Sequence, residues 1–484
     1  MAEPGLSRRA LFKIGGGVAL GLGVGKFEGA GAGTHRGGVH VVGAPPAFQV
    51  PLAVPSPLAP TSSDETTDYY DLTVRQAQLE ILPGTRTTVW GYDGQFPGPM
   101  IVAQRDRETV VRQVNQLDVP ITTHLHGGHT PASSDGYPTD LFWPGESRTY
   151  RYPNHQHAAT LWYHDHRADH TAEQVWMGLA GLYVLHDDIE RALPLPTGAY
   201  DVPLVIQDRL FEPDGAFSYP TTARDLMEGV LGNVLIVNGR PQPYFEVAAR
   251  RYRFRILNGS NARTYRLSLS SGGTFTQVAS GGGLLPHPVD HTSFMIGPGE
   301  RYEMVVDFSA LPVGSWVVLQ NELGSGSTAQ VMRFDVTRHE SDPSSVPADL
   351  APYTLLDPAD ATTTRRFTLD RAHGVWTINS LPWDPDRVDA RPALGDAEVW
   401  EFHARGGPKM VHTMHLHLVQ FQVLSRNGAP PESWESGWKD TVFVAGGDTV
   451  RVITRFSDYR GRYPFHCHIL EHEDHAMMAQ FETV

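Results

Sequence analysis

Along most of the chain, apolar and polar residues follow one another in short runs bounded by Gly, Pro, Asn and Asp. "TTVWGYDGQFPGPMIVAQ" (87–104) predicts a strand, a turn and a strand. "ETVVRQVNQL" (108–117) alternates, and "LAGLYVLHD" (179–187) is apolar enough for a strand buried on both faces. The same grammar returns in "DVPLVIQDRLF", "NVLIVNGRPQPYFEV", "RYRFRILNG", "YRLSLSS" and "RYEMVVDF", between residues 199 and 340. Strands at this spacing predict sandwiches, so the fold class is all-β.

Length then sets the number of units. At 484 residues the chain exceeds what one hydrophobic core usually supports. Three units are expected, at 66–190, 199–340 and 366–484, with a polar, proline-rich connection at 341–365. Residues 31–65 are rich in Gly, Pro, Ser and Ala and read as a linker or strap without regular structure. Within 1–30, Arg8-Arg9 precedes a short Gly/Ala/Val/Leu run, the pattern of a twin-arginine export signal too short to span a bilayer. The expected location is therefore secreted, periplasmic or cell-wall associated. A formal net charge of −15 argues against nucleic acid or an anionic membrane as partner. A monomer is expected, with no membrane span.

The chemistry-bearing residues are unevenly spread. The single cysteine, Cys467, stands between His466 and His468, with His472 and Met477 following. A thiolate, imidazoles and a weak thioether are what a type 1 blue copper site requires, given one further histidine. His412, in H-x-x-H-x-H with His415 and His417, supplies it. Two more H-x-H pairs lie upstream, His124 with His126 and His164 with His166. On strands, each pair points both imidazoles to one face and Cys467 to the other. Eight imidazoles thus form one expected cluster, and Cys467, His412, His472 and Met477 a separate mononuclear site, with Met478 competing for the last position. A fifth pair, His155 with His157, and His35, His40, His287, His291, His339, His373 and His403 read as ordinary surface or core histidines.

Four H-x-H pairs in this order, closing with H-C-H-x3-H-x4-M, resemble the multicopper oxidases. The words "HLHGG", "DGYP", "LWYHDH" and "HCHILEHEDHAMM" are most similar to bacterial spore-coat-type laccases and bilirubin oxidases, over about residues 66–484. The resemblance implies three cupredoxin-like Greek-key β-sandwich domains and four copper ions. His124 and His415 would hold the type 2 ion. His126, His164 and His466 would hold one type 3 ion, and His166, His417 and His468 the other. The middle domain, without ligand pairs, would be a spacer. An internal repeat agrees: Asp165, His170 and Val175 stand where Cys467, His472 and Met477 stand in the last domain, so no blue site is expected in the first.

By the same resemblance, phenols or aromatic amines give up single electrons at the type 1 site, through an exposed edge of His472. Dioxygen takes four electrons at the cluster and becomes water, with Glu473 and Asp135 supplying protons. Two other readings are a cuprous, ferrous or manganous ion oxidase and a non-catalytic copper or electron-transfer protein. The scattered methionines, Met410 and Met414 among them, argue against the first. The complete cluster argues against the second.

Overall fold

The computed structural model describes residues 35–36, 39–220, 222–372, 374–407 and 410–484. The export signal expected at 1–30 and His373 lie outside the described residues. The chain forms three cupredoxin-like β-sandwiches, each of two facing sheets around its own apolar cluster. The first joins the sheet Gly98–Gln104, Ala180–His186, Ala159–Asp165, Thr123–His126 to one built on Thr67–Leu79 and Glu108–Asn115. The middle sandwich pairs a seven-stranded with a five-stranded sheet, and the last pairs a five-stranded with a four-stranded one. That four-stranded sheet runs Thr441–Val444, His412–Leu416, Gly461–Cys467, Met478–Thr483.

Local pattern explains which strands lie where. Glu108–Asn115 places Arg112 outward and Val111 in the core, as its alternation predicts. Every residue of Ala159–Asp165 is buried, because one face meets its own sandwich and the other meets the neighbouring domains. Strand Ala361–Ala372 opens the last sandwich five residues before the expected boundary at 366. The polar threonines and arginines that suggested a connection are the exposed face of a strand lying parallel to Ala397–Ala404.

The proline-rich segment after residue 40 is a strap over two sandwiches. Leu52 N–H donates to Tyr244 O (2.7 Å) and its side chain joins the middle core; Leu58 N–H donates to Met100 O (2.7 Å) of the first sandwich. The middle sandwich is also bound to the first by buried charges. Arg253 contacts Glu190 (2.7 Å) and Glu303, while Arg255 contacts Glu190 (2.9 Å), Asp201 (2.7 Å) and Glu303 (2.8 Å). Charges this deep persist only when paired and hydrogen-bonded on several sides.

The internal repeat holds at the level of register. His124 lies opposite His164 and Thr123 opposite Asp165 in the first sandwich; His415 lies opposite His466 and Met414 opposite Cys467 in the last. The two histidine-bearing sheets face each other, so the cluster forms between domains.

Candidate metal centre

Strand alternation brings His124, His126, His164, His166, His415, His417, His466 and His468 together in one fully buried group. Thr123–His126 is held against its neighbours by a turn at Gly136, where φ is +77° and a Cβ would lie 2.1 Å from Thr123 O. Only glycine permits that approach. The rings of His124 and His417 stack at 3.6 Å, and those of His126 and His415 at 3.7 Å, across the domain boundary.

The inward-facing nitrogens form separate triads. His166 Nε2 lies 3.1 Å from His417 Nε2 and 3.1 Å from His466 Nε2, and the latter two are 3.2 Å apart. Their Nδ1 atoms point outward, His417 Nδ1 donating to Asp135 Oδ2 (2.8 Å) and His466 Nδ1 lying 3.1 Å from Glu473 Oε2. The Nε2 atoms therefore present three converging lone pairs, an arrangement that repels itself unless a cation sits among them. A point about 2 Å from all three exists, the usual imidazole–metal distance. The second triad is His126, His164 and His468, where His126 Nδ1, His164 Nε2 and both His468 ring nitrogens are buried without a hydrogen-bond partner. His124 Nε2 and His415 Nε2, 3.3 Å apart, form the third point of convergence.

These groupings correct the expected partition, which placed His466 with His126 and His164, and His468 with His166 and His417. The structure exchanges His466 and His468. The reason is the pseudo-twofold of the repeat, which exchanges His124 with His415, His126 with His417, His164 with His466 and His166 with His468. It carries the observed triads into each other, whereas the expected ones are not interchanged.

Burial, reinforced by neighbouring imidazoles, holds His126, His164, His415 and His417 well below the ordinary histidine range; burial takes His166 and His468 down to about 3. These rings are neutral at physiological pH, the form that ligates metal.

On the opposite face of Gly461–Cys467, Cys467 Sγ lies 3.7 Å from His412 Nδ1 and 3.6 Å from His472 Nδ1, all three buried. Burial pushes the thiol up to about 12, against N–H groups of Ile469 and Thr413. A thiolate forms here only if a cation compensates it. Met477 shares the buried cluster of Cys467 and Met414, and Met478, whose side chain alternates away, does not. In the first sandwich Asp165 occupies the cysteine position, its oxygens accepting from Thr122 N–H (3.1 Å) and Arg167 N–H (3.0 Å), and burial raises its carboxyl to about 8. Val175 is buried in helix Thr171–Met177, and His170 precedes that helix.

Both expected carboxylates reach the cluster. Glu473 lies 3.4 Å from His166 Nδ1 as well as beside His466, and accepts from Thr171 Oγ1 (2.9 Å). Burial would raise its carboxyl, but the imidazoles of His466 and His166 take it down to about 2. Asp135 receives His417 on its side chain and His124 Nδ1 on its carbonyl (2.7 Å).

His472 differs from expectation: its ring is buried at 2% exposure rather than presenting an edge to solvent. Trp376 lies against it, with ring centroids 4.2 Å apart, and helix Ala223–Glu228 of the middle sandwich brings Met227 beside it. Sequence reasoning also missed Asp440. Its Oδ1 lies 2.9 Å from His126 Nε2, its carbonyl accepts from His415 Nδ1 (2.9 Å), and its carboxylate takes both Nη atoms of Arg301 at 2.6 Å. The middle sandwich is thus more than a spacer, since Arg301 belongs to it. Burial opposes ionisation of Asp440, but Arg301 outweighs it and lowers the carboxyl. The available signal was "WKDT", a charged pair leading straight into an apolar strand. Of the other histidines, His155 pairs with Asp106 (2.8 Å) at the surface and His291 with Gln277 (2.9 Å) in the interior, as read.

Family profiles described as multicopper oxidase match residues 73–190, 221–339 and 352–484. A laccase of Bacillus stratosphericus is 37% identical, covering 90% of this chain and 98% of its own. A bilirubin oxidase of Albifimbria verrucaria is 36% identical, covering 90% and 81%. Among solved structures, a laccase from Pediococcus acidilactici superposes with a TM-score of 0.86 at 34% identity, covering 91% of this chain and 95% of its own.

Proposed function

The chain belongs to the multicopper oxidase family, copper-dependent oxidoreductases that use dioxygen, and we propose that it is a laccase-type member oxidising phenols or aromatic amines. The proposal assigns four copper ions. One lies at His412, Cys467, His472 and Met477, one at His124 and His415, one at His126, His164 and His468, and one at His166, His417 and His466. The observation that carries it is adjacency: Cys467 of the mononuclear site is covalently continuous with His466 and His468 of the cluster. When bound, copper supplies one-electron chemistry at the sulfur site and dioxygen reduction at the histidine cluster.

The chain's own residues do the rest. Cys467 and its flanking peptides give a bonded path between the two sites. Asp135, Asp440 and Glu473 fix which nitrogen of each neighbouring imidazole faces inward, as carboxylates behind metal-bound histidines do. Glu473, Asp135 and Asp440 are acidic groups beside the cluster; Asp440 is held by Arg301, which leaves Glu473 and Asp135 for the four protons consumed per dioxygen reduced. Glu473→Gln is expected to slow dioxygen consumption on the order of 10²-fold, the usual worth of a positioned acid. Anaerobic bleaching of the blue colour by a phenol should keep its rate. Unchanged consumption would remove the proton role.

Oxygen uptake by copper-loaded protein tests the function itself, with a dimethoxyphenol and cuprous ion as alternative donors and peroxide assayed alongside. Uptake with the phenol and no peroxide is the expected result. Uptake with cuprous ion alone would replace the organic donor by a metal ion.

A further inference from the structure

We infer that the Thr171 hydroxyl is the hydrogen-bond partner that lets Glu473 carry a proton to the cluster, which makes Thr171 a positioning residue for dioxygen reduction. This rests on the proton role given to Glu473 above and names the group that serves it. Glu473 Oε1 lies 3.4 Å from His166 Nδ1 and accepts from Thr171 Oγ1 (2.9 Å), while Oε2 lies 3.1 Å from His466 Nδ1. Both imidazoles turn Nε2 inward, 3.1 Å apart, so their Nδ1 atoms carry the hydrogen and only donate. The Cys467 carbonyl, 3.1 Å from His466 Nδ1, agrees with that tautomer. Three donors suit a carboxylate. They do not suit a carboxylic acid, whose own hydrogen needs an acceptor in a site this buried. Of the three, Thr171 is the one that can turn round. Its Oγ1 also lies 3.0 Å from Arg167 O, so the hydroxyl hydrogen has a second acceptor and the oxygen is then free to accept from Glu473.

The hydroxyl is held in place by all three domains. Thr171 opens helix Thr171–Met177 of the first sandwich, and Asp474 of the last accepts Thr171 N–H and Ala172 N–H on its two oxygens, each at 2.9 Å. Those are first-turn N–H groups with no partner inside the helix. From the middle sandwich, Asn261 Nδ2 donates to Ala172 O (2.8 Å), and Arg209 donates to Trp176 O (2.8 Å) and Val175 O (3.0 Å) at the other end of the helix. Switching the hydrogen bond therefore needs rotation about one C–O bond and no movement of the chain. In the step, Glu473 gains one proton from water and its O–H donates to Thr171 Oγ1, whose hydrogen turns to Arg167 O. When Glu473 releases that proton toward the cluster it is again a carboxylate, and the hydroxyl turns back. Thr171 keeps its one hydrogen throughout.

The experiment compares the copper-loaded parent with Thr171→Val, which keeps the side-chain shape without the hydroxyl, Thr171→Ser, which keeps the hydroxyl without the methyl, and Glu473→Gln. Dioxygen consumption is driven by hexacyanoferrate(II), which brings no proton of its own, in ordinary and in deuterated water. Copper content and anaerobic bleaching of the blue band are followed alongside. Thr171→Val is expected to consume dioxygen about tenfold more slowly, equal to about 1.4 kcal/mol of barrier, with a larger solvent isotope effect. Thr171→Ser should restore both, and bleaching and copper content should keep their parent values. In metal-free protein, the infrared carboxylate band that Glu473→Gln removes should shift in Thr171→Val and return in Thr171→Ser. A packing role predicts the opposite pattern, with Thr171→Ser impaired and Thr171→Val intact, and that result would overturn the relay. Parent-like consumption by Thr171→Val beside slow Glu473→Gln would remove Thr171 alone. Parent-like consumption by Glu473→Gln would remove the proton role of Glu473 and the relay with it.

Discussion

Cys467→Ser is expected to abolish the blue colour and all substrate oxidation while leaving the histidine cluster able to hold its metal. The cysteine is the only thiol in the chain, and His412 and His472 both aim Nδ1 at it from under 4 Å. A serine hydroxyl neither ionises readily nor offers the soft donor that selects copper at such a site. The cluster should survive because its ligands on this strand are positioned by backbone pairing. Gly461–Cys467 is bonded on one side to His412–Leu416 and on the other to Met478–Thr483, and neither ladder involves the sulfur. The buried hydroxyl costs about 1–3 kcal/mol if unpaired, which a fold of this size tolerates. Copper analysis and electron paramagnetic resonance decide the matter: one ion lost out of the full complement is expected. Loss of every ion would mean that the two sites assemble only together.

Much of this centre was legible before any coordinates, because an H-x-H pair on a strand states its own geometry. Period two sends both rings to one face and Cys467 to the other, and the structure has them so. What was not legible depended on how sheets from different domains face one another. The exchange of His466 and His468 follows from the pseudo-twofold across the boundary, a relation between the repeats that neither contains alone. Asp440 and Arg301 are 139 residues apart, and nothing local in either marks the other as its partner. His472 was expected to be open because the resemblance implies an exposed imidazole edge, and nothing in its own helix, Leu470–Asp474, reveals what covers it. Its cover comes from the middle sandwich and from an edge strand, so only the assembled chain encloses it.

The same dependence on assembly makes Arg301→Leu the substitution with the largest expected cost to folding. Arg301 is 1% exposed and donates to Thr160 O (2.9 Å), Gly299 O (3.1 Å) and Gly281 O (2.8 Å) as well as to both oxygens of Asp440. Its removal leaves a buried carboxylate without its counter-charge, together with three carbonyls that lose a donor. Breaking one side of a buried pair costs about 3–5 kcal/mol. Metal-free protein should therefore unfold at clearly lower urea. The second consequence is local, since Asp440 holds His126 by its side chain and His415 by its carbonyl, and a carboxylate freed from Arg301 can reorient. Copper should be lost first from the sites those two histidines serve, while the blue band at Cys467 persists. Arg301→Leu combined with Asp440→Asn should recover much of the stability, because the uncompensated charge is gone, yet should not recover the copper, because an amide cannot hold His126 as the carboxylate does. A double variant no more stable than Arg301→Leu alone would show that the lost carbonyl contacts, and not the stranded charge of Asp440, carry the cost.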